Sequence, residues 1–210
     1  MPRTLSLWFA VILFVIAGLH DVQANEKTIL VLGDSLTAGY GLPPGQAFPD
    51  QLGKALGKQG VQTKILNAGV SGDTTAGGLA RLDWSVSPDV DGVIIELGAN
   101  DGLRGVNPQI TKSNLDTIIS RLKQKNIAVL LTGMLASPNM GRKYGAEFKA
   151  IYTDLAKKHG VALYPFFLKD VAAAPGLNQP DGIHPNEAGV AVIVKNILPT
   201  VTRFISTISD

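Results

Sequence analysis

"TILVLGDSLTAGYG" (28–41) runs from an aliphatic block through Gly33-Asp34-Ser35 into a segment compatible with a helix. A strand that ends in so tight a cluster and turns straight into a helix reads as the start of a β-α unit. Blocks of the same kind recur at steady intervals: "TKILNAG" (63–69), "GVIIELG" (92–98), "AVLLTGM" (128–134) and "VALYPFF" (161–167). They are near-continuously apolar rather than alternating, which suits strands buried on both faces of a sheet.

Helical patterns fill the intervals. "FPDQLGKALGKQG" (48–60) stops at Gly60, and "NPQITKSNLDTIISRLKQKN" (107–126) opens on an Asn-Pro start signal. "YGAEFKAIYTDLAKKHG" (144–160) closes on Lys-Lys-His-Gly, a well-formed helix end. "PNEAGVAVIVKNILPTVTRFIS" (185–206) reads as a last helix that Pro199 kinks or cuts. "TTAGGLARLDWSV" (74–86) reads as a weaker helix, because Gly77 and Gly78 lower its propensity. Five strands alternating with helices predict a three-layer α/β/α sandwich around a five-stranded parallel sheet. By analogy with the commonest small solution, the order is flavodoxin-like, 2-1-3-4-5.

Composition bounds the function. The chain has 210 residues, 45% of them hydrophobic, enough for one sizeable core. A net charge of +2 with no basic run argues against nucleic acid as a partner. Cysteine is absent, which excludes disulfides, thiolate metal sites, a cysteine nucleophile and a lipid-modified N-terminal cysteine. Arg3 and the apolar run "LSLWFAVILFVIAGL" (5–19) precede "HDVQAN", where Val22 and Ala24 are small. The run falls short of the roughly 20 apolar residues a membrane span needs. Residues 1–24 are therefore expected to be a cleaved signal peptide. The domain at 25–210 would then be periplasmic or secreted, with no stable membrane span.

The irregular stretches fall at the carboxyl ends of the strands, the edge where open α/β sheets build their sites. "GDS" follows the first strand, "GVSGDT" (69–74) the second and "GAND" (98–101) the third; "DGIHPNEAG" (181–189) lies in the long segment after the fifth. In the expected order the first three strands are neighbours, so Ser35, Gly72 and Asn100 converge. Of the histidines, His20 falls in the leader and His159 ends a helix, where the dipole favours a cation. His184 remains, three residues after Asp181, a spacing that lets one turn hold a carboxylate against the imidazole. A hydroxyl, a base and an orienting carboxylate complete a nucleophilic set. The backbone N–H of Gly72, the side-chain amide of Asn100 and the Ser35 N–H can serve as oxyanion donors.

Each piece alone has a plainer reading. Ser35 would suit a helix N-cap, Asn100 and Asp101 an ordinary loop, and Asp181 with His184 a capping turn or a weak metal pair. Their joint occurrence on these strand ends, in this order, favours catalysis. The four blocks also resemble the SGNH hydrolases, or GDSL esterases. "GDSL" (33–36) matches the nucleophile block, "SGDT" (71–74) the glycine block, "GAND" the asparagine block and "DGIHP" (181–185) the base block. Further matches at "GDTTAGGLARL" (72–82), "ELGANDGLRG" (96–105) and "PFF" (165–167) are similar to the bacterial branch of thioesterase I, lysophospholipase and arylesterase enzymes. That branch often has Gly-Gly-Asn where this chain has Gly98-Ala99-Asn100, a departure that leaves Asn100 in place. The resemblance implies Ser35 as nucleophile, Gly72 and Asn100 as oxyanion donors, and Asp181 and His184 as the remaining triad members.

It also implies a serine esterase that hydrolyses lipid, thio- or aryl esters through an acyl-enzyme, with no metal or organic cofactor. Met134, Leu135 and Met140, in "MLASPNMGRKYG" (134–145), are candidates to line an acyl groove. A carbohydrate O-acetyl esterase and a non-catalytic binding module are the alternatives. The first calls for a more polar groove with aromatic platforms, the second for a lost triad member. The G-x-S-x-T surroundings of Ser35 differ from the G-x-S-x-G elbow of the α/β-hydrolases.

Overall fold

In the structure, a computed structural model in which residues 26–209 are described, β1 (Lys27–Gly33) pairs on one side with β2 (Thr63–Gly69) and on the other with β3 (Gly92–Glu96). β4 (Ala128–Thr132) and β5 (Ala162–Tyr164) extend the sheet, so that its order is 2-1-3-4-5 with every pairing parallel. The proposed signal peptide lies outside the described residues. β3 is buried along its whole length, and β1 and β4 at all but their first residue. That matches the unbroken apolar blocks. β2, at the edge, is only half-buried, because one side of an edge strand has no neighbour to cover it.

Two helical layers cover the sheet. α1 (Ser35–Ala38), α2 (Phe48–Lys58) and α8 (Glu187–Ser206) form one; α3 (Thr75–Ala80), α6 (Pro108–Gln124) and α7 (Arg142–His159) form the other. Phe48 of α2 meets Phe167 edge-on at 4.9 Å beneath the first layer. On α7, Phe148 packs against Tyr144 and Tyr152, one helical turn to either side.

Local signals account for most helix ends. Asn107 caps α6 by accepting the Gln109 N–H, and Pro108 takes the first helical position. Gly160 ends α7 in the left-handed conformation. Two expectations are corrected. The segment 74–86 is two short helices, α3 and α4 (Leu82–Ser85), broken at Arg81 rather than at its glycines. α8 runs unbroken through Pro199, which faces solvent, so the carbonyl it frees can be hydrated. α8 is long and apolar enough to cross a membrane by length and composition. Here Val190, Ile193, Ile197, Val201 and Phe204 are buried in the core.

The register positions the site. Gly33 pairs with Gly69 on one side and with Glu96 on the other, so three strands end level. The chain leaves β1 outward to β2 and leaves β3 in the other direction to β4. The crevice between those departures is the switch point of the sheet.

Candidate active site

Ser35 is the first residue of α1, and Asp34, not Ser35, caps that helix by accepting the Leu36 N–H at 3.0 Å. The cap role considered for Ser35 is thus taken by its neighbour, and the Ser35 hydroxyl is free to point across the crevice. It lies 2.9 Å from Nε2 of His184. His184 Nδ1 lies 2.6 Å from Oδ2 of Asp181. The other oxygen of Asp181 accepts the backbone N–H groups of Ile183 and His184 at 2.9 and 3.0 Å. Together with the ring, these donors hold the carboxyl at about 2, well below its usual range. Asp181 therefore stays ionised, and its fixed position selects the tautomer with hydrogen on Nδ1 and a lone pair on Nε2 facing the serine.

The candidate donors lie at neighbouring strand ends. α5 (Ala99–Arg104) begins beside the end of β3 and carries Asn100 on its first turn. Asn100 Nδ2 donates one hydrogen to Oδ2 of Asp34 at 3.1 Å, which orients the amide and leaves its second N–H unspent. The backbone N–H groups of Ser35 and Gly72 have no acceptor among the described residues. Gly72 holds a φ of +85°, a left-handed conformation that other residues adopt only with strain. Its carbonyl is tied down by Arg104 Nη2 at 2.9 Å. Arg81 secures the loop from beneath, donating to Asp73 at 2.6 Å and to the Gly33 carbonyl at 2.9 Å.

The base loop is anchored separately. Gln179 Nε2 donates to the Tyr40 carbonyl at 2.7 Å and to the Pro185 carbonyl at 3.0 Å, and its backbone N–H donates to the His184 carbonyl at 2.7 Å. It thereby ties the loop that bears the imidazole to the turn that bears the hydroxyl. The Tyr40 ring lies over the imidazole with centroids 4.6 Å apart. Replacing Gln179 with alanine removes one hydrogen bond across this seam and one within the base loop, worth about 1 kcal/mol each. Steady-state assay of an aryl ester should show kcat down about tenfold, with the melting temperature shifted by only a few degrees.

Ser35, His184 and Asp181 are thus joined by hydrogen bonds, Asn100 is tied to Asp34 next to Ser35, and Gly72 lies on the loop after β2, the strand beside β1. The three apolar candidates differ in their surroundings. Met134 is 3% exposed and belongs to the core, so it cannot wall a groove. Leu135 is exposed, and Met140 is half-buried with its methyl against Gly105, at the end of α5. His159 pairs with Asp116 of α6 and plays no part at this edge. No group of acidic, histidine or cysteine side chains suited to a metal ion occurs among the described residues.

Arg81, Arg104, Gln179, Tyr40 and Glu96 were not singled out from the sequence. Four of them are surface-type residues whose partners are distant in the chain. Glu96 alone carried a signal, a single charge closing an apolar strand.

A model of the GDSL-like lipase/acylhydrolase family matches residues 31–192. An arylesterase from Vibrio mimicus is 43% identical over 188 residues, covering 88% of this chain and 90% of that protein. The thioesterase 1/protease 1/lysophospholipase L1 of Escherichia coli K12 is 41% identical over 180 residues, covering 85% of each. A crystal structure of TesA, 39% identical, superposes with a TM-score of 0.81 over 85% of this chain and 99% of that one. With its four motif blocks meeting at one sheet edge and relatives alike along nearly their whole length, the chain belongs to the GDSL-like lipase/acylhydrolase family, the SGNH hydrolases.

Proposed function

We propose that Ser35 attacks the carbonyl of a carboxylic ester while His184 takes its proton. The chain is an esterase of the arylesterase, thioesterase and lysophospholipase type, and the observation that carries the residue roles is the Ser35–His184–Asp181 hydrogen-bonded series. As the Ser35 Oγ–carbon bond forms, the carbonyl oxygen takes up negative charge and meets the N–H groups of Ser35, Gly72 and Asn100. His184 then returns the proton to the leaving alcohol as the ester C–O bond breaks, leaving an acyl-enzyme. Water, deprotonated by His184, releases the acid and regenerates the hydroxyl.

Several features support apolar acyl or aryl esters. Tyr40, Val70, Leu103, Leu135 and Ile183 are exposed apolar side chains on the loops and turns around the crevice. Isolated exposed apolar residues need no explanation, but several on one edge form a rim suited to an acyl or aryl group. Trp84, 88% exposed on α4, stands apart from the triad loops and offers no sugar platform there. With residues 1–24 removed and the enzyme exported, lipid or small esters of the cell envelope are the natural targets, and acyl-coenzyme A, a cytosolic metabolite, is a capability. No cofactor takes part.

A fluorophosphonate probe should label Ser35, seen as a mass increase on the peptide that contains it. In a series of p-nitrophenyl esters, kcat/KM should rise from acetate to medium-length acyl chains. Absence of labelling would leave a binding module, whereas preference for acetylated polysaccharide over every acyl ester would favour the O-acetyl esterase.

A further inference from the structure

Glu96 closes β3 and is wholly buried, although every residue before it in that strand is apolar or glycine. Its Oε2 accepts the Thr37 hydroxyl at 2.8 Å and, more distantly, the Asp34 N–H at 3.4 Å. Its Oε1 is buried with no hydrogen-bond partner among the described residues. A charged oxygen in that position would lack both water and a donor, a severe cost that a proton removes.

The carboxyl that Glu96 faces is that of Asp34, which is also buried. Two adjacent carboxylates in such a place do not both ionise. Burial raises Asp34 to about 6, while Glu96 is held well above the usual range by burial and then by the charge on Asp34. The Leu36 N–H and the Asn100 amide both donate to Asp34 and favour the charge there, while the donorless Oε1 favours the proton on Glu96. The other groups around them fit this arrangement. The Tyr152 phenol of α7 is held neutral and donates to the Leu97 carbonyl at 3.1 Å. Asp101 of α5 is engaged by Thr75 and Thr111, and His184 across the crevice favours the charged form of Asp34.

Taking Asn100 as an oxyanion donor, we infer that Glu96 is a positioning residue of the oxyanion hole: a buried acid behind Asp34 that accepts the Asp34 N–H and the Thr37 hydroxyl and so fixes the turn whose carboxylate holds the Asn100 amide. The contact is built into the nucleophile turn. A Cβ at Gly33 would come within 2.7 Å of Glu96 Oε2 and 2.0 Å of Thr37 Oγ1, so the glycine of "GDS" makes room for the acid. A neutral Glu96 also keeps a second negative charge away from the place where the oxyanion forms.

The test compares Glu96→Ala and Glu96→Gln, each alone and combined with Asn100→Ala, on a p-nitrophenyl ester. Glu96→Ala should lower kcat about 10–100-fold with KM within about threefold, the pattern of a misplaced transition-state donor. Glu96→Gln, planar and uncharged, should recover most of that loss and leave the acid limb of the pH profile in place. An ionised Glu96 would instead predict a shift of that limb to lower pH, because removing its negative charge would make the neighbouring Asp34 harder to protonate. In the Asn100→Ala background, Glu96→Ala should cost no more than about twofold, since the two act through one group.

Infrared spectra near about pH 8 should show the carbonyl band of a neutral carboxyl that disappears in Glu96→Gln. That measurement stands even where Glu96→Ala fails to fold. Full kcat in Glu96→Ala, additive losses in the double variant, or no neutral carboxyl band would each overturn the inference while leaving the triad untouched. Full activity in Asn100→Ala alone would instead remove the oxyanion reading on which the inference rests.

Discussion

Ser35→Ala should lower kcat for an activated aryl ester by about 10⁴-fold or more, the scale seen when the nucleophile of a serine triad is removed. The fold should survive. Ser35 is not the cap of α1, and its hydroxyl has one partner among the described residues, His184, on the rim of the crevice. The loss of one such hydrogen bond costs about 1 kcal/mol, which leaves a normal unfolding transition. His184→Ala should be as damaging, because the hydroxyl then has no proton acceptor, and the double variant should be no worse than either single one. Residues that act as a unit are grossly non-additive. Steady-state kinetics of the three variants, with circular dichroism to confirm folding, decide the matter. Multiplicative losses would mean that Ser35 and His184 do not share a step, and full activity in Ser35→Ala would assign the nucleophile elsewhere.

Asn100→Ala should reduce kcat by about 10²–10³-fold while KM changes only a few-fold, as expected for a donor that acts chiefly when the carbonyl oxygen becomes an anion. The amide already gives one hydrogen to Asp34 at 3.1 Å, so it enters the reaction pre-oriented and pays no reorganisation cost. Asn100→Asp should be at least as damaging. It puts an acceptor where a donor is needed, and a second carboxylate beside Asp34. A rise in KM with kcat intact, in either variant, would place Asn100 in substrate binding rather than in stabilising the transition state.

The sheet was legible because burial on two faces leaves a direct trace in the chain. β1, β3 and β4 appear as unbroken aliphatic blocks, and their boundaries are close to those expected. The helices carrying Asn107 and Gly160 were legible at their ends, since caps are local chemistry. The sequence leaves open whether Pro199 kinks or cuts its helix, because the cost depends on whether the freed carbonyl faces water; the helix is not cut. Met134 is ambiguous in the sequence for a similar reason. An apolar residue just beyond a strand suits a core and a groove equally well, and only its neighbours distinguish the two.

The site divides along the same line. The five groups proposed to react stand in four short blocks, because residue type and spacing carry chemistry, and a D-x-x-H turn brings its own two members together. What holds them in place was not. Gln179, Arg81, Arg104 and Glu96 act on partners that lie 139, 48, 32 and 62 residues away along the chain. Side-chain polarity alone says nothing of such pairings. The amino-acid sequence by itself determined the alternation of strand and helix, the set of candidate reacting groups and their place at one sheet edge. Only the tertiary structure decided which oxygen meets which hydrogen and which buried acid keeps its proton, because hydrogen bonds and desolvation depend on distances of a few ångströms that the folded chain alone defines.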